Sequence, residues 1–290
     1  MLPSRFDYHR ADTLDEALSL LATHGDDAKV LAGGQSLIPM MKLRFAYPGH
    51  LIDINRMPGL DGIDEQDGAL RIGALVRHNQ LAASGVVGAK HPTIAATAPQ
   101  IADPIVRNLG TIGGSLSHAD PAGDLGSTML AVGASVVLTS KARGERVVPI
   151  GEFLVDTFTT SAEPDELLTQ IRVPTPGAGS GGTYLKLERK IGDWATVGVA
   201  VALTMSNGSI GRAGLGLTGV GLKNIEPTDA EQTLAGAEPT DEAFAEAGRQ
   251  AAAAASPVSD VRGPEEYKRH MIEVYVRRGL AQARDAARAA

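Results

Sequence analysis

Leu31-Ala-Gly-Gly-Gln-Ser-Leu37 and Thr111-Ile-Gly-Gly-Ser-Leu-Ser-His-Ala-Asp120 are two glycine-rich stretches of the same design in one chain. Each sets a Gly-Gly pair beside hydroxyl side chains. Glycine admits positive φ and lets a backbone approach another group closely. Consecutive backbone N–H groups flanked by Ser or Thr hydroxyls make a concavity suited to phosphate oxygens. One such loop alone is more often a tight turn. Two of them point to a diphosphate held from both sides.

The surroundings of the first stretch read as a βαβ-like lobe. Thr13-Leu-Asp-Glu16 is a capping box, and Leu14, Ala17, Leu18 and Leu21 repeat at helical spacing up to Gly25. Residues 28–31 form a short apolar strand that runs into the glycines, 36–43 a short helix, and 51–54 a second strand. Around the second stretch, strands are expected at 69–72, 135–139, 147–150 and 167–173, with a helix over 124–131. Residues 174–183, Pro-Thr-Pro-Gly-Ala-Gly-Ser-Gly-Gly-Thr, are the one compositional break. Beyond it come strands at 184–190 and 196–205, an Asn207-Gly208 hairpin turn into 210–220, and helices at 229–234, 241–255 and 264–287. Three units follow from this reading: residues 1–57, 58–176 and 177–290.

With 290 residues and 43% hydrophobic content, the chain exceeds one ordinary core. Its net charge of −7 and the lack of any Lys/Arg cluster argue against a nucleic-acid partner. The sequence contains no cysteine, which excludes thiolate ligation of iron–sulfur clusters or zinc by this chain. No run reaches the ~18 apolar residues of a transmembrane segment, and no leader segment is expected. The chain therefore reads as soluble and cytoplasmic.

Other motifs are weaker. Gly214-Leu-Gly-Leu-Thr-Gly219 matches G-x-G-x-x-G, but it lies within a strand after a hairpin, whereas the Rossmann turn opens directly into a helix. Close helix or strand approach is the better reading. His118, Asp120 and Asp124 can be drawn as a metal cluster; a ribose contact, or capping of the following helix, suits Asp120 or Asp124 better. His9, His24, His50, His78, His91 and His270 show no partner spacing and read as surface or structural, so no metal ligand set is expected. Lys186, Arg189 and Lys190 read as a solvated strand face, and Trp194 as a core or interface anchor.

Ala32-Gly-Gly-Gln-Ser-Leu-Ile-Pro39, Thr111-Ile-Gly-Gly114 with Asp120-Pro-Ala-Gly-Asp124, and Lys190-Ile-Gly-Asp-Trp-Ala-Thr196 together resemble the FAD-binding medium subunits of molybdenum hydroxylases. Phe6-Asp-Tyr-His-Arg10, Gly216-Leu-Thr218 and Ser259-Asp-Val-Arg-Gly-Pro-Glu-Glu-Tyr267 support the likeness, which covers essentially the whole chain. Within the family it runs toward the enzymes that oxidise carbon monoxide. The resemblance implies an α+β chain with the vanillyl-alcohol-oxidase-type FAD-binding fold, in which two α/β subdomains hold FAD and a C-terminal α+β domain covers it. It implies that Leu31, Ala32, Gly33, Gly34, Gln35, Ser36 and Leu37 wrap the pyrophosphate from one side, and Thr111, Ile112, Gly113, Gly114 and Ser115 from the other. Ile101, Leu168 and Lys186 would lie near the flavin, Asp124 toward the adenosine end and Trp194 at the isoalloxazine, with His118, Asp120 and Asp193 also among the cofactor-binding residues. Trp194 stands where tyrosine is frequent, which keeps a stacking face and loses a phenol. The implied partners are a large molybdopterin subunit and a small [2Fe–2S] subunit, assembled as a dimer of heterotrimers, with a quinone as final acceptor and no catalytic acid or base on this chain. The same subunit in a purine, nicotine or other N-heterocycle hydroxylase, or a stand-alone flavoprotein, is the alternative.

Overall fold

Thr13 opens the first helix as its sequence dictates. Its hydroxyl accepts from the Glu16 N–H at 3.2 Å, and the Glu16 carboxylate reaches back to the Asp12 N–H at 2.9 Å. The helix Leu14–His24 buries Ala17, Leu18 and Leu21 and ends at Gly25, whose φ is 51°. It packs on a parallel sheet of β1 (Asp7–Arg10), β2 (Ala28–Leu31) and β3 (His50–Asp53), ordered β1-β3-β2. Strand β1 escapes sequence reading because it is polar and largely exposed along its whole length. The helix Leu37–Leu43 carries the chain from β2 across to β3. The first glycine stretch therefore leaves the carboxyl end of a parallel strand, where open α/β sheets place their ligands. The computed structural model describes residues 2–289; Met1 and Ala290, the outer limits of the first and third expected units, lie outside the described residues.

The middle of the chain is an antiparallel sheet. Its strands are β4 (Ile63–Gln66), β5 (Ala69–Gly73), β6 (Ser135–Ser140) and β7 (Gly144–Pro149). A small two-stranded ribbon of β8 (Leu154–Asp156) and β9 (Thr159–Thr160) precedes β10 (Glu166–Pro174), which returns to the centre, giving the order β4-β5-β10-β6-β7. Leu70, Ile72, Val136, Leu138, Leu168 and Ile171 form its core. Short helices fill the crossover from β5 to β6, among them Ile112–His118 and Asp124–Ala131. Every residue of Asp124–Ala131 is buried, because the last unit closes over it.

That last unit is an antiparallel sheet of β11 (Ser180–Leu187), β12 (Val197–Ser206) and β13 (Ser209–Thr218), with the helices Thr228–Leu234, Asp241–Ala254 and Glu265–Ala289 sharing its core. Asn207 and Gly208 both take positive φ, 52° and 87°, as a two-residue primed turn requires. Strand β11 begins inside the stretch that composition marked as a break. A Cβ on Gly181 would overlap the Ala283 carbonyl of the long terminal helix, and one on Gly182 the Thr93 hydroxyl on the opposite face. These glycines serve packing on both sides of a strand, not chain flexibility. Among the described residues no helix is long and apolar enough to cross a membrane.

The G-x-G-x-x-G pattern has the same explanation. Cβ atoms on Gly214 and Gly216 would overlap the backbone carbonyls of Ala131 and Ser127, so β13 lies directly on the helix Asp124–Ala131. Gly216→Ala is accordingly expected to destabilise the chain by about 3 kcal/mol through overpacking against backbone. The chemical-denaturation midpoint measures this, and an unchanged midpoint would contradict the close approach.

Candidate flavin nucleotide site

The fold brings the two glycine stretches face to face. A Cβ on Gly33 would overlap the Leu109 carbonyl oxygen and lie 2.7 Å from the Gly110 Cα; one on Gly114 would point toward the Ala32 Cβ at 3.8 Å. Their amides differ in use. Among the described residues the N–H groups of Gly33, Gly34, Gln35 and Ser36 donate to no protein acceptor, and Gly34 is left-handed at φ 73°. Successive free amides around a left-handed residue form an anion-binding nest. In the second stretch the amides are occupied: Ile112 donates to Val76 at 3.0 Å, Gly113 to Ala74 at 3.0 Å, and Gly114 to the Thr111 hydroxyl at 3.1 Å. The first stretch carries free donors, whereas the second opens the helix Ile112–His118 and its amides are paired within the fold. The gap that a Cβ would fill and the four free amides fit a diphosphate.

Residues absent from the sequence-based set hold this geometry. Asn55 donates through Nδ2 to the Ala32 carbonyl at 2.5 Å. Arg77 donates to Asn55 Oδ1 at 2.9 Å and to the Leu109 carbonyl oxygen, so one guanidinium ties both loops together. The His78 N–H donates to Gly110 at 3.0 Å, and its ring lies against Gly110, where a Cβ would sit 2.8 Å from His78 Cδ2. Nothing in the sequence marks these residues, since each works on backbone that only folding brings near.

Burial pushes the His78 imidazole down to about 4, assisted by the nearby charges of Arg107 and Arg77. The folded state thus keeps this ring neutral while the unfolded chain, near the ordinary value, takes up a proton. Stability is then present above about pH 6.5 and is lost as pH falls toward 4, on the order of 2 kcal/mol by pH 5. Urea midpoints measured across that range should slope for the wild type and slope less for His78→Gln.

The helix Asp124–Ala131 starts on a buried ion pair. Lys186 Nζ lies 3.0 Å from Asp124 Oδ2, with side-chain exposures of 2% and 6%, and also donates to the Gln100 carbonyl at 3.0 Å. Tyr184 OH donates to Asp124 Oδ1 at 2.6 Å. Burial raises the Asp124 carboxyl against the pull of Lys186, and burial beside Asp124 holds the Tyr184 phenol well above its usual value. Both Asp124 oxygens are engaged from within. The Lys186 side chain, 2% exposed, is thus no part of the solvated face expected for it. Together with Asp124 and Tyr184 it forms a pin that fastens β11 to the helix bed.

The remaining predicted residues have partners of their own. Ile101 is 9% exposed, and its carbonyl accepts from Arg107 at 2.9 Å. Leu168 is buried within the five-stranded sheet. His118 ends its helix and packs on Phe158 with ring centroids 4.9 Å apart. Asp120 Oδ1 accepts from the Ala122 N–H at 2.9 Å and shapes the turn before Asp124. A Cβ on Gly192 would sit 3.2 Å from the Ala102 carbonyl, so the loop bearing Asp193 and Trp194 rests on the segment after Ile101. Arg262 donates to Asp193 Oδ1 at 3.2 Å and to the Trp194 carbonyl at 2.8 Å. It holds the Asp193 carboxyl below the usual carboxylate range. The Trp194 residue remains 48% exposed, and it is no core anchor.

Two lobes with opposed glycine stretches beside an α+β unit, with no Rossmann turn among the described residues, define a non-Rossmann fold suited to a nucleotide diphosphate. Residues 4–176 match the family described as the FAD binding domain in molybdopterin dehydrogenase, and 182–283 the CO dehydrogenase flavoprotein C-terminal domain. The chain is 44% identical to the carbon monoxide dehydrogenase medium chain of Hydrogenophaga pseudoflava, covering 98% of each. It is 40% identical to the alpha subunit of the 6-hydroxypseudooxynicotine dehydrogenase complex of Paenarthrobacter nicotinovorans, covering 99% of this chain and 97% of that one. A solved structure of the Hydrogenophaga pseudoflava carbon monoxide dehydrogenase lacking the Mo-pyranopterin moiety superposes with a TM-score of 0.95 at 45% identity over 98% of both chains. The chain belongs to the family of FAD-binding medium subunits of molybdenum hydroxylases.

Proposed function

We propose that this chain is the flavin-bearing electron-transfer subunit of a carbon monoxide dehydrogenase. In this reading a large molybdopterin subunit oxidises carbon monoxide, a small subunit supplies electrons from its [2Fe–2S] clusters, and a quinone receives them from this subunit, within a dimer of heterotrimers. The opposed glycine loops carry the proposal, and the complete lack of cysteine supports placing the clusters on a partner. When bound, FAD supplies an acceptor that takes electrons singly and releases them in pairs.

The chain's own residues bind and orient. The amides of residues 33–36 would receive the diphosphate, with the hydroxyls of Ser36 and Ser115 beside them. Asn55 and Arg77 keep the loop spacing. The half-exposed indole of Trp194, held through its backbone by Arg262, offers a stacking face for the ring system.

Purification of the native complex tests the reading. It should show stoichiometric flavin absorption and carbon monoxide-dependent dye reduction, and a complex of three subunit types reducing no dye with carbon monoxide would refute the substrate. Trp194 is the single tryptophan, so FAD addition to the apo-subunit should quench most of its emission; unchanged emission at saturating FAD would remove Trp194 from the flavin. The likeness to the 6-hydroxypseudooxynicotine dehydrogenase subunit favours a second reading, the same electron-transfer role beside a large subunit that hydroxylates an N-heterocycle. Dye reduction with pyridine or purine substrates instead of carbon monoxide would establish it.

A further inference from the structure

Three histidines that look unrelated in sequence converge on the first lobe. His9 lies on β1, His50 opens β3, and His24 is the last residue of the helix Leu14–His24. The parallel register that pairs Asp7 with His50 sets His9, two residues on, on the same face of the sheet as His50. His9 Nε2 and His50 Nδ1 are 3.0 Å apart. The His24 ring stacks on His50 at 3.7 Å and on His9 at 5.2 Å. One nitrogen from each ring lies within 4.8 Å of the other two.

We propose that His9, His24 and His50 form a binding site for a divalent transition metal of the imidazole-preferring class, with zinc as the representative ion. Tetrahedral zinc holds nitrogens at about 2.0–2.1 Å, which spaces them about 3.3 Å apart. The His9–His50 pair already has that spacing, and a modest ring rotation of His24 completes three ligands. All three rings are partly buried, which limits their rotamers. Asp7 and Asp27 stand ready as a fourth ligand: Asp7 Oδ2 is 3.8 Å from His50 Nδ1, and Asp27 Oδ2 is 3.9 Å from His50 Nε2. Asp7 is mostly exposed and can swing inward, whereas Asp27 Oδ1 already accepts the Gly49 N–H at 3.0 Å.

The site is separate from the flavin loops. His50 lies at the amino end of β3, whereas the first glycine stretch leaves the carboxyl end of the parallel β2. A bound metal would clamp the end of the first helix to the two strands and stabilise this lobe by mass action.

Zinc chloride titrated into the FAD-loaded full-length chain tests the proposal by calorimetry and by competition with a chromogenic chelator. One equivalent should bind per chain, with a rise in Tm that a chelator reverses. His24→Gln and His50→Gln should each weaken zinc binding by at least about tenfold, while His270→Gln, an exposed residue of the terminal helix, should not. Zinc affinity unaltered by His24→Gln overturns the site, as does binding below one equivalent. Cobalt(II) gives a readout on the wild type alone: a strong visible ligand-field band at one equivalent is expected for a four-coordinate site, and its absence overturns the proposal whether or not the variants fold.

Discussion

Gly33→Ala is expected to strip FAD from the purified subunit while leaving most of its secondary structure in place. The added methyl would overlap the Leu109 carbonyl oxygen and stand 2.7 Å from the Gly110 Cα, atoms of backbone that cannot rotate away. Leu109 is itself held by Arg77, and Gly110 is wedged against His78, so the second loop has little room to retreat. The strain must be relieved by the first loop, the one whose free amides are aimed at the diphosphate. Losing two charge-assisted hydrogen bonds costs about 3 kcal/mol, which is about a hundredfold in affinity. The ratio of flavin to protein absorbance after gel filtration and a fluorescence titration of apo-protein with FAD both report it. Gly114→Ala should be milder, because its Cβ would meet side chains and no backbone: the Thr111 hydroxyl at 2.7 Å and, in ordinary contact, the Ala32 Cβ at 3.8 Å. A Gly33→Ala protein that retained stoichiometric flavin would show that the contact between the loops does not set the site.

Lys186→Met should be the most damaging substitution for stability. It leaves the Asp124 carboxylate, 6% exposed, with the Tyr184 phenol as its one remaining side-chain donor. Removing one partner of a buried pair costs about 3–5 kcal/mol, a fall of roughly 6–20 °C in Tm for a chain of this size class. The pH dependence separates this cause from lost packing. Burial already raises the Asp124 carboxyl, and loss of the Lys186 charge raises it further. A group whose folded value is raised favours folding when protonated and opposes it as pH climbs through that value. The deficit of Lys186→Met relative to wild type should therefore shrink between pH 7 and pH 4. Adding Asp124→Asn should recover part of the loss, as coupled neighbours do. A deficit independent of pH would mean that the ion pair is not what the lysine contributes.

Much of the architecture was legible because it rests on local demands. Thr13 and Glu16 cap a helix by their own side chains, Asn207-Gly208 can take two positive φ values where other pairs strain, and the apolar runs within strands 135–140 and 166–174 announce themselves. The polar edge strand β1 was not legible, since nothing apolar alternates along it. The beginning of β11 was misleading for the opposite reason. Its glycines look like linker composition, yet they are required by the Ala283 carbonyl on one face and Thr93 on the other.

The site divides along the same line. The glycine stretches were visible as a pair, but not that one offers amides and the other has spent its own on Ala74, Val76 and Thr111. Asn55, Arg77 and His78 went unseen because they act on backbone far away in sequence. The three histidines read as scattered for the same reason: the β1–β3 register and the end of a helix, not their spacing, gather them.

By itself the sequence determined that two glycine turns would be available for a diphosphate, that no thiolate could hold an iron–sulfur cluster on this chain, and that G-x-G-x-x-G within a strand was no Rossmann turn. These are consequences of residue type and of neighbours within a few positions. Only the tertiary structure decided that the glycine stretches oppose each other, that Arg77 spans them, and that Asp124 pairs with Lys186 and Tyr184. Those outcomes depend on contacts between residues tens of positions apart, whose geometry is fixed by sheet register and helix packing rather than by any local preference.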